Sequence, residues 1–189
     1  MVITVNINHV YKYPVELVIQ AHFSKYPSEK EKFVKKIEVL ESAFNKGISF
    51  HRRLAICDNV IPSLLRKIQI LDEKHILLEE CSWIDVKKRM FTTKSHNVTW
   101  SKYASLWEKS VFTPCADNPK WTQLEQHGVV DISGLGKLGR VIELFAEKFL
   151  KSGVKRGITT MEEILQERCP QASSSVNCED SNTPVPETG

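Results

Sequence analysis

The chain has little that would commit it to chemistry. Its five cysteines (Cys57, Cys81, Cys115, Cys169, Cys178) are odd in number and widely spaced, with no Cys-x-x-Cys pair. That argues against a disulfide framework or a zinc knuckle and leaves plain thiols. Its six histidines are scattered, with no H-E-x-x-H or comparable ligand pair, so no metal site is expected. There is no G-x-S-x-G elbow and no internal repeat. Cys57 follows His51-Arg52-Arg53, but strand alternation makes it as readily a core thiol as a nucleophile. Neither an enzyme nor a cofactor is expected.

Other things are also scarce. No run reaches the roughly 18 apolar residues that span a bilayer. The opening MVITVNINHVYKYP has neither an apolar core with a cleavage site nor an Arg/Ser-rich amphipathic helix. Neither secretion nor import by a cleaved presequence is therefore expected. The 26 basic and 23 acidic residues leave only +3, which does not suit a nucleic-acid binder but leaves room for local patches that meet anionic lipid. Asn97-Val98-Thr99 fits the glycosylation pattern only as a chance match.

What is present is patterning, and 189 residues with 41% hydrophobic content suffice for one domain with a core. Val2 to Val10 alternates, with Ile3, Val5, Ile7 and Val10 on one side, and predicts a strand. Pro14 sits where a first helical turn tolerates it, and Val15, Val18, Ile19 and Phe23 share a helical face. Strands are expected over about Val34 to Leu40 and Ile48 to Cys57, turned by Asn45-Lys46-Gly47; a helix over Glu29 to Phe44 competes. A short amphipathic segment follows at Asn59 to Leu71. Then come HILLEECSWI, MFTTKSHNVTW, YASLWEKSVF and WTQLEQHGVVDIS, all strand-like. From Leu138 a helical pattern runs to about Glu167, with Gly153 and Gly157 as points where it can bend. The polar, proline-bearing stretch 169–189 reads as a disordered tail, leaving 1–168 as the domain.

This order predicts an α+β fold: a curved antiparallel sheet with helices segregated to one face. Gly134, Gly136 and Gly139 do satisfy the G-x-G-x-x-G spacing. A dinucleotide loop, however, follows the first strand of a parallel β-α-β unit, and this one follows the last strand. The glycines are expected to turn a corner into the helix. A curved sheet under a long helix encloses a space that is packed solid or holds an apolar ligand. From pattern alone, Ile61, Leu64, Leu65 and Ile68 fit core better than a cover over that space.

Four stretches, HVYKYPVELVIQAHFSKYP, RRLAICDNVIPSLLRKI, ECSWIDVKKRMFTTKSHNVTWSKYASLWEKSVF and ISGLGKLGRVIELFAEKFLKSGVKRGITTMEEIL, resemble the PRELI domain family of mitochondrial intermembrane-space phospholipid-transfer proteins, from about Val2 to Arg168. The resemblance implies a phosphatidylinositol-transfer-protein-like fold, a strongly curved antiparallel sheet with a long C-terminal helix across its concave face, and carriage of one glycerophospholipid, of the phosphatidic acid or phosphatidylserine class, between membranes. It implies a peripheral, transient membrane contact and a small helical-hairpin partner held by twin Cys-x9-Cys disulfides. By family position, Lys25 and Arg156, with Lys155 next, would meet the lipid head group. The family's lid falls on about Val60 to Ile70, which reverses the preference for core. There Ile61, Leu64, Leu65 and Ile68 would enter the bilayer while Arg66 and Lys67 meet head groups. The chain departs from its relatives in KYPSEKEKF, shortened before Phe33, and has Cys57 and Gly153 where some phosphatidic-acid carriers have lysine and asparagine. A fold-retaining module that binds the hairpin partner without carrying lipid is the alternative implied.

Overall fold

The computed structural model describes residues 2–27, 29–132 and 139–169. Seven strands form one antiparallel sheet: β1 (Val2–Tyr11), β2 (Val34–Asn45), β3 (Ile48–Asp58), β4 (His75–Asp85), β5 (Met90–Asn97), β6 (Ala104–Pro114) and β7 (Thr122–Ile132). Their spatial order is β1-β7-β6-β5-β4-β3-β2, so every pair except β1-β7 joins chain neighbours. Helix α1 (Val15–Ser24) follows β1, a single turn α2 (Ser63–Arg66) and a 3₁₀ turn (Gln69–Leu71) follow β3, and α3 (Gly139–Arg168) follows β7.

The sheet is curved, with α1 and α3 on its concave side; α3 packs on α1, β1 and β7. Its 30 residues give a rod about 45 Å long, unbroken through Gly153 and Gly157. Two apolar clusters hold the layers together. One gathers Tyr11, Val15, Val18, Phe91, Phe112, Leu124, Met161 and Leu165; the other gathers Ile3, Ile61, Leu71, Val130, Ile132 and Ile142.

Residues 34–45 are strand, not helix, because the edge strand gains a ladder with β3 in which Ile37 faces Ala55 and Phe44 faces Ser49. Helix propensity is a weak preference beside such pairing. The β1 pattern needs one correction. Its pairing with β7 runs unbroken from Val2 to Tyr11, so strict alternation points His9 inward and Val10 outward. Val10 is accordingly exposed, while His9 Nε2 donates to Glu162 Oε1 at 2.8 Å. The corner 133–138, with Gly134 and Gly136, and the tail beyond Cys169 lie outside the described residues. The sheet that precedes the corner is antiparallel throughout, which removes the parallel context a dinucleotide loop requires. The four cysteines among the described residues are free thiols. Burial, then Glu31 and Asp58, push the Cys57 thiol up to about 11, so it stays protonated and inert.

Candidate functional site

Strand register places an unexpected set of side chains on the concave face. Arg53 pairs with Glu80, Glu80 with Ser95, Ser95 with Glu108, and Glu108 with Gly128. One step along the strands, Ser82, Thr93, Ser110 and Gln126 form a parallel row. A polar band thus crosses the interior between the two apolar clusters.

Its most buried part ties α1 to the sheet. Arg53 Nη2 donates to Glu80 Oε1 at 2.5 Å and to His22 Nε2 at 3.1 Å, and that nitrogen lies 3.3 Å from Glu80 Oε1. Burial holds His22 below its usual range despite Glu80, so it is neutral and its Nε2 can accept from the guanidinium. Burial opposes ionisation of Glu80, but the Arg53 guanidinium, joined by His22 only when that ring is protonated, outweighs it and holds the carboxyl far below its ordinary value. The His22 ring stands edge-on to Phe91 at 5.0 Å, and Arg53 lies 4.6 Å from the Phe23 ring centre. These contacts fix the last turn of α1, and with it Lys25.

Lys25 caps α1, half-buried, with its ammonium 4.6 Å from the Tyr26 ring centre. The helix that it caps is tied to the polar band three residues earlier, where His22 meets Glu80. The chain after it runs along α3. Lys30 bonds Glu163 and Glu167 at 3.1 and 2.7 Å, and Arg156 lies 5.1 Å from the Phe33 ring centre and 3.7 Å from Glu31 Oε2. Of the three expected head-group residues, Lys25 and half-buried Arg156 thus flank the same segment; Lys155 is exposed on the outer side of α3.

The inward stripe of α3 contains Leu150, Met161 and Ile164, and Gly157 falls on it, seven residues after Leu150 and four before Met161. A Cβ built on Gly157 would meet no atom of the described residues within 4 Å. On the sheet, a Cβ on inward-facing Gly128 would meet only backbone carbonyls, at 3.9 and 4.0 Å. Neither layer therefore carries a side chain at these two inward positions. Sequence reading noticed Gly157 only as a possible bend and missed Arg53, Glu80 and Glu108. Their signal was a charge at inward-phase positions among apolar ones.

The expected lid is one continuous flap. Asn59 ties its two ends: Nδ2 donates to the carbonyls of Leu71 and Glu73 at 2.8 and 2.7 Å, and Oδ1 accepts from the Ile61 amide at 2.9 Å. Trp100 Nε1 donates to the Ile70 carbonyl at 2.8 Å. Ile61 is buried, and Leu65 and Ile68 pack on the second apolar cluster. Leu64 points away, 71% exposed. Arg66 and Lys67 line a shallow open recess of about 270 Å³ with Ser63 and Asp72. The flap therefore plugs one end of the interior with three residues and offers a leucine and two cations outward.

Comparison with known proteins agrees with this architecture. The chain is 24% identical over 159 residues to UPS-like protein C36.10 of Schizosaccharomyces pombe, covering 84% of this chain and 86% of that one. The crystal structure of TTHA0849 from Thermus thermophilus superposes with a TM-score of 0.59 at 14% identity, over 88% of this chain and 99% of that one. The Zhui aromatase/cyclase from Streptomyces sp. R1128 does so at 0.54 and 13%, over 89% and 93%. These two show the fold alone. A sequence model of the PRELI-like family matches residues 16–171, and the chain belongs to that family.

Proposed function

We propose that this protein carries a glycerophospholipid, of the phosphatidic acid or phosphatidylserine class, between the membranes of the mitochondrion and works in the intermembrane space. The member of the family that this proposal points to, on the resemblance of the residues, is PRELI domain-containing protein 2. The observation that carries the reading is the polar band set between two apolar clusters on the inward face, with no side chain at Gly157 or Gly128; the space there is read as the seat of the lipid. Moving acyl chains through water costs about 0.8 kcal/mol for each exposed CH₂. An enclosed apolar space removes much of that cost without any covalent step. The phosphate, stripped of water, needs donors, and Lys25 and Arg156 stand at the segment beside the band. The reading is of a carrier and not an enzyme. Its fold does not decide that, since an aromatase/cyclase shares it. Binding to a small twin Cys-x9-Cys hairpin protein is part of the proposal and rests on family membership.

The direct test is native mass spectrometry of the purified protein, alone and after incubation with phospholipid vesicles. A mass adduct of one phospholipid, and its transfer to acceptor vesicles, is the expected result. A protein that stays empty and moves no lipid would instead be the non-transferring module that only engages the hairpin partner, a reading the shortened Lys25-to-Phe33 stretch favours.

The flap gives a sharper expectation. Burying Leu64 in a bilayer is worth about 1.5–3 kcal/mol, so Leu64→Asp should slow lipid transfer roughly tenfold or more. Unfolding temperature should stay near wild type, because the side chain touches solvent. Leu65→Asp puts a charge against the apolar cluster and should cost about 2 kcal/mol or more of stability. Equal thermal losses in the two variants would show that the flap has no outward function.

A further inference from the structure

The polar band holds one carboxylate that the proposed phosphate contacts do not use. Glu108 faces inward from the middle of β6, half-buried, between apolar Leu106 and polar Ser110 on the same face. Glu80 is matched by Arg53 at 2.5 Å, but no ion pair reaches Glu108 among the described residues. Its help is neutral, a hydrogen bond from Gln126 and a longer one from Ser110 at 3.4 Å. Directly across the register is Gly128, so the space beside the carboxylate is not filled from that strand. Burial pushes the carboxyl up, against a Gln126 hydrogen bond and the Lys25 charge, which means that the ionised form is short of partners. Glu108 thus lies in the same inward row as Glu80, which His22 ties to the helix that Lys25 caps.

We propose that Glu108 is a specificity-determining residue: it accepts hydrogen bonds from a primary ammonium on the lipid head group while Lys25 meets the adjoining phosphate. This rests on the carrier reading above and narrows it to amine-bearing phospholipids. A phosphate linked to an amine through two carbons presents opposite charges a few ångströms apart, and so suits a base at the end of α1 and an acid in the inward row beneath that helix. A bare phosphate monoester would place two negative charges near Glu108 with only the nearby cations to offset them, and an uncharged polyol head would leave the carboxylate without a cation.

The test keeps membrane charge constant. Vesicles containing equal parts of phosphatidylserine, phosphatidylglycerol and phosphatidic acid, all anionic, are offered to wild type and to Glu108→Gln. The bound lipid is then identified by mass spectrometry. A charge-assisted pair in a desolvated site is worth about a factor of ten in occupancy. Wild type should therefore be enriched about tenfold in the serine lipid, and Glu108→Gln should lose that enrichment while still holding lipid. Preference for phosphatidic acid or no preference in wild type, or an unchanged ratio in the variant, overturns the proposal and leaves the carrier reading standing. If wild type binds none of the three, both fall. Should Glu108→Gln fail to fold, the wild-type comparison of serine lipid with phosphatidylglycerol, similar in size but lacking the amine, still decides.

Discussion

Arg53→Met should destabilise the protein by about 3–5 kcal/mol, the usual cost of stranding one member of a buried ion pair. Arg53 is 7% exposed, and its guanidinium supplies the donor to both Glu80 Oε1 and His22 Nε2. Without it, the carboxylate keeps its burial and loses its cation. Urea denaturation at pH 7 would measure the loss, and a change under about 1 kcal/mol would show the pair to be dispensable. Adding Glu80→Leu should recover a large part, because an apolar pair of similar volume avoids both desolvation costs. The same cluster sets a pH dependence. His22 binds its proton less readily folded than unfolded, so its contribution is fully present above the unfolded value near 6.5. It is lost as pH falls below that value, at up to about 1.4 kcal/mol per pH unit. Glu80, also depressed, adds its own loss only below about 4.5. His22→Gln should flatten the slope between pH 6.5 and 5 and leave the more acidic part in place.

This cluster also shows where sequence reading stops. The seven strands were legible because alternation and turn residues mark them, and Lys46 and Gly47, both with positive φ, close the β2-β3 hairpin where expected. The inner face was not legible. Arg52-Arg53 and Glu79-Glu80 place like charges on consecutive residues, so alternation alone cannot say which member of each pair turns inward. Pairing decides it: Arg53 falls opposite Glu80, and Arg52 opposite Cys81 on the other face. A similar ambiguity misplaced Val10, since one strand slipping by one residue exchanges its faces. In the flap, an amphipathic count put Ile61, Leu64, Leu65 and Ile68 together. The single turn Ser63–Arg66 is too short to keep one helical face, and Leu64 alone turns out. Lys25 was found through family position, because a lysine after a helix has no signature of its own.

Gly157→Leu should make the protein more stable and a worse carrier. A glycine inside a helix costs about 0.8–1 kcal/mol relative to good helix formers, and nothing among the described residues stands within 4 Å of the new Cβ. The leucine would therefore gain propensity without a clash against them, and unfolding should shift to higher temperature. Its branched end, on the inward stripe of α3, would occupy the space read as the seat of the lipid. Displacing about three methylenes of an acyl chain at about 0.8 kcal/mol each weakens capture by roughly 2.4 kcal/mol, close to fiftyfold. Gly157→Ala separates the two effects: it should bring the same helix gain with transfer largely intact, since only a Cβ is added. Opposite movement of stability and transfer is not what a damaged fold produces, because damage lowers both. If Gly157→Leu carries lipid as well as wild type, the acyl chains do not lie under this turn of α3.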